Sequence, residues 1–149
     1  MSNEVNATKA NEAPTRLADG TYQPVLTVSD LDRCGRRWML GASIYNYESQ
    51  CAPAVMFATE PALRKIYAGD EEGYRRSLLS TYRYYNATPQ VSGLLLGAGL
   101  ALEDKGHNDA IDAVQDLKIG LMGSLSGVGD TIFAIPVSYT HLRAHETDS

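Results

Sequence analysis

The chain has 149 residues, 44% hydrophobic and 21% charged, with a formal net charge of -5. That length suits one ordinary domain, and the acidic balance excludes a protein that grips nucleic acid through its phosphates, which needs clustered Lys and Arg. Two cysteines, Cys34 and Cys51, cannot supply a disulfide framework, so a reducing compartment is expected.

Residues 1–27 are rich in Asn, Thr, Glu, Ala and Pro with few large apolar groups, and are expected to be a disordered tail without the apolar run of a signal peptide. Order is expected from Ser29-Asp30-Leu31-Asp32, with Ser29 as helix cap and acids in the first turn. Leu31, Cys34, Trp38 and Ala42 then recur at helical spacing, which predicts an amphipathic helix. Pro53 and Pro61 punctuate the next stretch, and Pro61 suits the first turn of a short helix through Tyr67. Gly69-Asp70-Glu71-Glu72 reads as break, cap and acidic first turn of a helix to about Tyr85, with Leu78, Leu79, Tyr82 and Tyr85 inward.

Thr88-Pro89 predicts the next start, as cap and first helical residue. Val91 to Leu102 is free of charge, and Gly106 is a good stop. Asn108 is expected to cap a further helix with Ala110, Ile111, Val114 and Leu117 as its apolar stripe. Ile119 to Asp130 follows, with Gly120, Gly123, Gly127 and Gly129. No strand alternation competes, so the fold class is all-α.

Charge is unevenly placed. Residues 1–32 carry a net of -3, residues 33–83 a net of +3, residues 84–136 a net of -4 and residues 137–149 a net of -1. Trp38 and seven of the nine tyrosines lie between residues 33 and 85. Basic side chains among amphipathic aromatics suit a membrane–water interface, and equally a solvated helical face. No segment offers the about 20 apolar residues of a spanning helix. Gly93–Gly97 and Gly123–Gly127 have the four-residue spacing that lets helices approach closely in lipid, and glycine-broken apolar segments mark the discontinuous helices of transporters. The pattern therefore fits a membrane-associated bundle with amphipathic helices and Gly-rich re-entrant or broken helices. Its alternative is a soluble helical protein-interaction module.

Candidate site residues are few. Asn46 and Glu48 flank Tyr47 at a helix end. An amide, a carboxylate and aromatic faces are what a sugar site uses, while capping by Asn46 and a surface Glu48 explain the same residues. Asp130 is the one charge in the apolar segment from Ile119 to Leu142. It reads as a polar group in a protected cavity in preference to a loop carboxylate. Gly120 to Asp130 lacks the Lys-Ser or Lys-Thr of a phosphate loop. His141 and His145 are four apart without the HExxH order, so neither metal nor cofactor is expected. Cys34 and Cys51 lack an evident base and read as packing residues.

Laid out in order, these residues resemble subunit IID of the mannose/fructose/sorbose family of the sugar phosphotransferase system, over about residues 26–135. The resemblance rests on Leu26-Thr27, Asn46-Tyr47-Glu48, Pro61-Ala62-Leu63-Arg64-Lys65-Ile66-Tyr67, Tyr84-Tyr85-Asn86 with Pro89, Leu100-Ala101-Leu102-Glu103, and Lys118 to Gly123 through Gly127-Val128-Gly129-Asp130. The chain departs at Tyr45, Thr88, Ser124, Ser126 and Ala134, where the family usually has Trp, His, Pro, Ala and Trp. The resemblance implies a non-catalytic membrane subunit of a sugar permease in the bacterial cytoplasmic membrane. It implies subunit IIC as partner in passing a hexose-type sugar, with phosphoryl transfer on IIA/IIB phosphocarrier domains. Contact with membrane lipid is implied too, and no nucleic acid. Residues 28–136 would form the N-terminal half of the IID domain. Residues 137–149, from Val137 through Ser138-Tyr139-Thr140-His141-Leu142-Arg143-Ala144-His145-Glu146, resemble a peptide that recurs at the ends of unrelated conceptual translations, as if read from sequencing-adaptor DNA. They are expected to be a non-native tail.

Overall fold

The structure, a computed structural model, describes residues 14–41 and 43–146, with the side chains of 90, 128–130 and 132–146 outside the described set. Five α-helices follow in order: α1 (Val28–Gly41), α2 (Ala52–Ile66), α3 (Glu71–Thr81), α4 (Pro89–Gly106) and, after a 3-10 turn at His107–Ala110, α5 (Ile111–Glu146). The all-α expectation holds among the described residues.

Residues 14–27 differ from the disordered tail expected of them. Gly20, at φ 86°, makes a turn that bridges Arg16 to Tyr22. The strap then lies on the end of α4: Tyr22 N–H donates to the Lys105 carbonyl at 2.8 Å, and Val25 and Leu26 N–H donate to the Asp104 carboxylate at 2.9 and 3.1 Å. Backbone donors tie this segment down, and composition carries no trace of them. Residues 1–13 lie outside the described residues.

The start of α1 is a reciprocal cap at Thr27, two residues earlier than Ser29. Asp30 N–H donates to Thr27 Oγ1 at 3.3 Å, while the Asp30 carboxylate accepts from Thr27 N–H at 2.8 Å, the logic of a capping box. Cys34 and Trp38 are buried as expected, whereas Leu31 is exposed; Ala42 lies outside the described residues.

α2 is longer than the helix expected to open at Pro61. Pro53 takes the first turn and Pro61 sits inside. A proline lacks the N–H that would bond the carbonyl four residues back, here Phe57. That carbonyl instead accepts from Arg37 Nε of α1 at 2.7 Å. The Arg37 guanidinium also lies over the Phe57 ring, 4.1 Å from its centroid, and 3.8 Å from Glu60. The interior proline is thus accommodated by a neighbouring helix.

Asp70 caps α3 as expected, accepting from Gly73 N–H at 2.8 Å. The helix stops at Thr81, however, so Tyr85 reaches the core from the following loop while Leu79 and Tyr82 are exposed. Pro89 opens α4 and Gly106 closes it, as expected. A Cβ on Gly106 would stand 2.7 Å from Ala110 Cβ, so only glycine fits this tight exit. Asn108 lies in the 3-10 turn and not at a helix cap.

Both glycine-bearing segments run as continuous helices and not as broken ones. Gly93, Gly97, Gly120, Gly123 and Gly127 each sit within α4 or α5. Glycine weakens a helix by about 1 kcal/mol relative to alanine but does not remove the backbone bond, and α5 is long enough to carry several. Among the described residues, no helix is long and apolar enough to cross a membrane.

Two buried clusters share the interior. Trp38, Val55, Tyr85, Leu95 and Leu96 anchor one, with Leu117, Met122 and Leu125 of α5 against it. Leu63, Ile66, Tyr67, Leu100 and Ile111 anchor the other, sealed by Val25 and Leu26 of the strap. The polar group described next lies where α2, α3, α4 and α5 meet.

Candidate functional site

On α4 the buried face runs through Leu96 and Leu100, so the next position at helical spacing is Glu103. On α5 the same logic carries Ile111 and Gln115 to Lys118. A carboxylate and an ammonium thus fall on apolar stripes. Glu103 is 4% and Lys118 5% exposed.

Glu103 is held by two hydroxyls. Ser77 Oγ of α3 donates to Glu103 Oε2 at 2.5 Å, and Tyr67 OH donates to the same oxygen at 3.0 Å. Lys118 Nζ donates to the Thr81 carbonyl at 3.1 Å, lies 5.6 Å from the Tyr85 ring centroid, and is coupled electrostatically to Glu103. Burial pushes the Glu103 carboxyl up from its ordinary range, against the pull of its hydroxyl donors and Lys118. Burial likewise brings Lys118 down to about 8, with Glu103 opposing. Tyr67 is raised by burial and then by the Glu103 charge. A cavity of about 20 Å³, room for a single water, borders both ionisable groups, between Leu95, Gly99 and Val114. Chemically this is a proton-holding knot that clamps four elements. Among the described residues no group of His, Cys, Asp and Glu could hold a metal.

The sequence residues expected to form a site lie elsewhere. Asn46 Oδ1 accepts from Ser49 N–H at 2.7 Å and from Ser49 Oγ at 2.9 Å, so its carbonyl oxygen shapes the loop between α1 and α2. Gln50, at φ 57°, completes that loop, its amide oxygen accepting from Tyr45 OH. Cys51 N–H then donates to the Tyr85 carbonyl at 2.8 Å. Asn46 Nδ2 reaches Tyr82 OH at 3.4 Å, a loose contact that leaves donor capacity. Glu48 is exposed, beside the exposed rings of Tyr45 and Tyr47. The backbone of Asp130 continues α5, and its side chain lies outside the described residues, so the structure brings Asn46 and Glu48 together and leaves Asp130 apart from the comparison. Glu103 and Lys118 enter the sequence reading only within the motifs of the family resemblance and not as site residues. Their register with Leu100 and with Ile111 was the signal that they point inward.

An all-α bundle with a carboxyl and an amino group sealed between its helices defines the class: helical, with ionisable groups on its apolar stripes. The family profile described as "PTS system mannose/fructose/sorbose family IID component" matches residues 25–142, and the chain belongs to that family. The match runs past residue 136 into the segment expected to be foreign. Similar relatives include the "PTS system mannose-specific EIID component" of Escherichia coli K12, 36% identical over 116 residues, covering 76% of this chain and 41% of the relative. The "Fructose permease IID component" of Bacillus subtilis is 32% identical, covering 64% and 35%. The "PTS system sorbose-specific EIID component" of Klebsiella pneumoniae is 30% identical, covering 74% and 41%. Among solved structures, a chain of the complex titled "CryoEM Structure of Mannose Transporter ManYZ and Microcin E492 (MceA) complex" superposes with a TM-score of 0.68 at 32% identity, covering 74% of this chain and 42% of that one. The chain thus spans about two-fifths of the length of the relatives it matches.

Proposed function

We propose that this chain is part of a non-catalytic membrane subunit of a phosphotransferase-system sugar permease, with residues 28–136 forming the N-terminal half of its domain. The observation that carries this reading is the joint match in sequence and fold to the mannose transporter chain. In this reading the subunit pairs with IIC in the bacterial cytoplasmic membrane, and the two pass a hexose-type sugar. IIA/IIB phosphocarrier domains supply the phosphoryl group. Residues 89–102 and 119–135 dip into lipid, and the basic, tyrosine-rich helices lie on the cytoplasmic side, where Arg stems and Tyr rings suit headgroups.

Co-expression of the family-length subunit with its IIC, followed by alkaline washing of the membranes, tests insertion. Retention in the pellet is expected. Recovery in the wash supernatant would overturn it and favour the soluble interaction module.

Within that reading, Asn46, Glu48 and Asp130 contact the sugar. Support comes from the exposed carboxylate of Glu48, the free donor capacity of Asn46 and the stacking faces of Tyr45 and Tyr47. A charge-assisted hydrogen bond is worth about 1.5–3 kcal/mol. Glu48→Gln and Asp130→Asn are each expected to raise the KM for hexose uptake about 10–100-fold at unchanged membrane abundance. Uptake by a complemented deletion strain, with immunoblotting, checks this; an unaltered KM removes the residue from the site.

A further inference from the structure

The exit of α4 carries a second buried polar group, distinct from the Glu103–Lys118 knot. His107 is 4% exposed and holds a left-handed φ of 46°, a conformation uncommon for a residue other than glycine. Its ring lies against Tyr22 of the strap, centroids 3.8 Å apart, and edge-on to Tyr67 at 5.4 Å. His107 Nε2 is buried with no hydrogen-bond partner, and so is Oδ1 of neighbouring Asn108. Two carboxylates act on the ring, Asp104 and Asp70, and both are already engaged. Asp104 accepts from Val25 and Leu26 N–H; Asp70 accepts from Gly73 N–H and from Asn108 Nδ2, the latter at 2.8 Å. The other ionisable groups around it are the Tyr22 and Tyr67 phenols, Arg16 of the strap, whose guanidinium lies 5.9 Å from the Tyr22 ring centroid, Glu103 beyond the Tyr67 hydroxyl, and Lys105, which offers its carbonyl to Tyr22 N–H.

We propose that His107 is an acid-sensitive catch for the strap of residues 14–27: the neutral ring holds Tyr22 down, and the protonated ring lets the strap go. A neutral imidazole keeps one nitrogen bare, and bare Nε2 is what the buried position provides for. An imidazolium carries a proton on both nitrogens, and a buried Nε2–H without an acceptor is costly. It has two ways out. The ring can swing toward water, through the place that Tyr22 occupies, or Asp104 can turn to receive the new proton and leave Val25 and Leu26 without their acceptor. Both routes undo the same strap.

Burial holds the His107 pKa below its ordinary 6.5, with Asp104 and Asp70 opposing. A lowered value in the closed form means that the open form binds the proton more readily. Closure is therefore strongest above about pH 6.5 and weakens as pH falls from there toward the closed-form value.

The test is hydrogen exchange at the Val25 and Leu26 amides of the family-length subunit in its membrane complex, at pH 7.5 and pH 5, corrected for the intrinsic rates. About tenfold loss of protection is expected in acid for each unit by which closure lowers the ring's pKa; equal protection at both values overturns the proposal. H107Q carries no titrating ring, so its strap is expected to show no acid response, whether it sits closed or open. An acid response in H107Q as large as in the parent also overturns it. Direct titration of the His107 imidazole by NMR gives a third reading: a midpoint at or above 6.5 with the strap closed overturns the catch without recourse to any variant.

Discussion

Replacing Glu103 by alanine is expected to cost about 1–3 kcal/mol of folding stability for each buried hydroxyl left without its acceptor. The substitution strands the Lys118 ammonium in the interior and removes the acceptor of both Tyr67 OH and Ser77 Oγ. Lys118 also loses the opposing charge of Glu103, and a less compensated buried charge adds to the cost, whereas removing both groups is often close to neutral. Glu103→Leu combined with Lys118→Met is therefore expected to lose less than Glu103→Ala alone. Denaturant unfolding of the detergent-solubilised, family-length subunit measures all three, and a double variant at least as damaged as the single would refute the coupling.

The same pair has a pH signature. Lys118 is brought down to about 8, so between there and its ordinary 10.5 the unfolded chain holds a proton that the folded chain has lost. Stability contributed by this group rises with pH across that window and is lost as pH falls through 8. Glu103 is raised, so its contribution is present in acid and lost as pH rises through its folded value. The two together predict a shallow minimum of stability between those values, absent from the double variant.

Trp38→Ala is expected to cost about 3–5 kcal/mol through the cavity it leaves. The indole is 2% exposed, and its Nε1–H donates to the Pro89 carbonyl at 2.9 Å, one of the carbonyls at the start of α4. Its loss empties the joint between α1 and α4 and removes the hydrogen bond that ties them there. Trp38→Phe restores much of the volume without the donor, so about 1 kcal/mol of that loss is expected to remain. A thermal-unfolding series of the three proteins separates packing from hydrogen bonding.

How much of this was readable beforehand depends on where each residue's partner lies. The cap at Asp70, the start at Pro89 and the stop at Gly106 are local, because the groups they satisfy are within one turn; all three were legible. Pro61 misled because its reading as a helix start presumes that a freed carbonyl has no better acceptor role, and Arg37 comes from another helix. The strap failed for the same reason. Asp104 is 79 residues from Val25, and no periodicity in residues 14–27 announces a carboxylate waiting elsewhere. Glu103 and Lys118 are in register with buried positions, but a charge closing an apolar run usually faces water, so register alone does not single them out. The loop that Asn46 shapes was read with its residue types correct, and its amide's engagement with Ser49 belongs to three-dimensional geometry.

Pro61 has a wider meaning for how α1 and α2 stay together. A residue that completed the backbone ladder there would give α2 a better helix and set its own N–H in competition with Arg37 for the Phe57 carbonyl, weakening one of the bonds that join the two. Local perfection and tertiary cohesion are set against each other at this one carbonyl. The flaw in one helix is one stitch in the seam that holds it to the next.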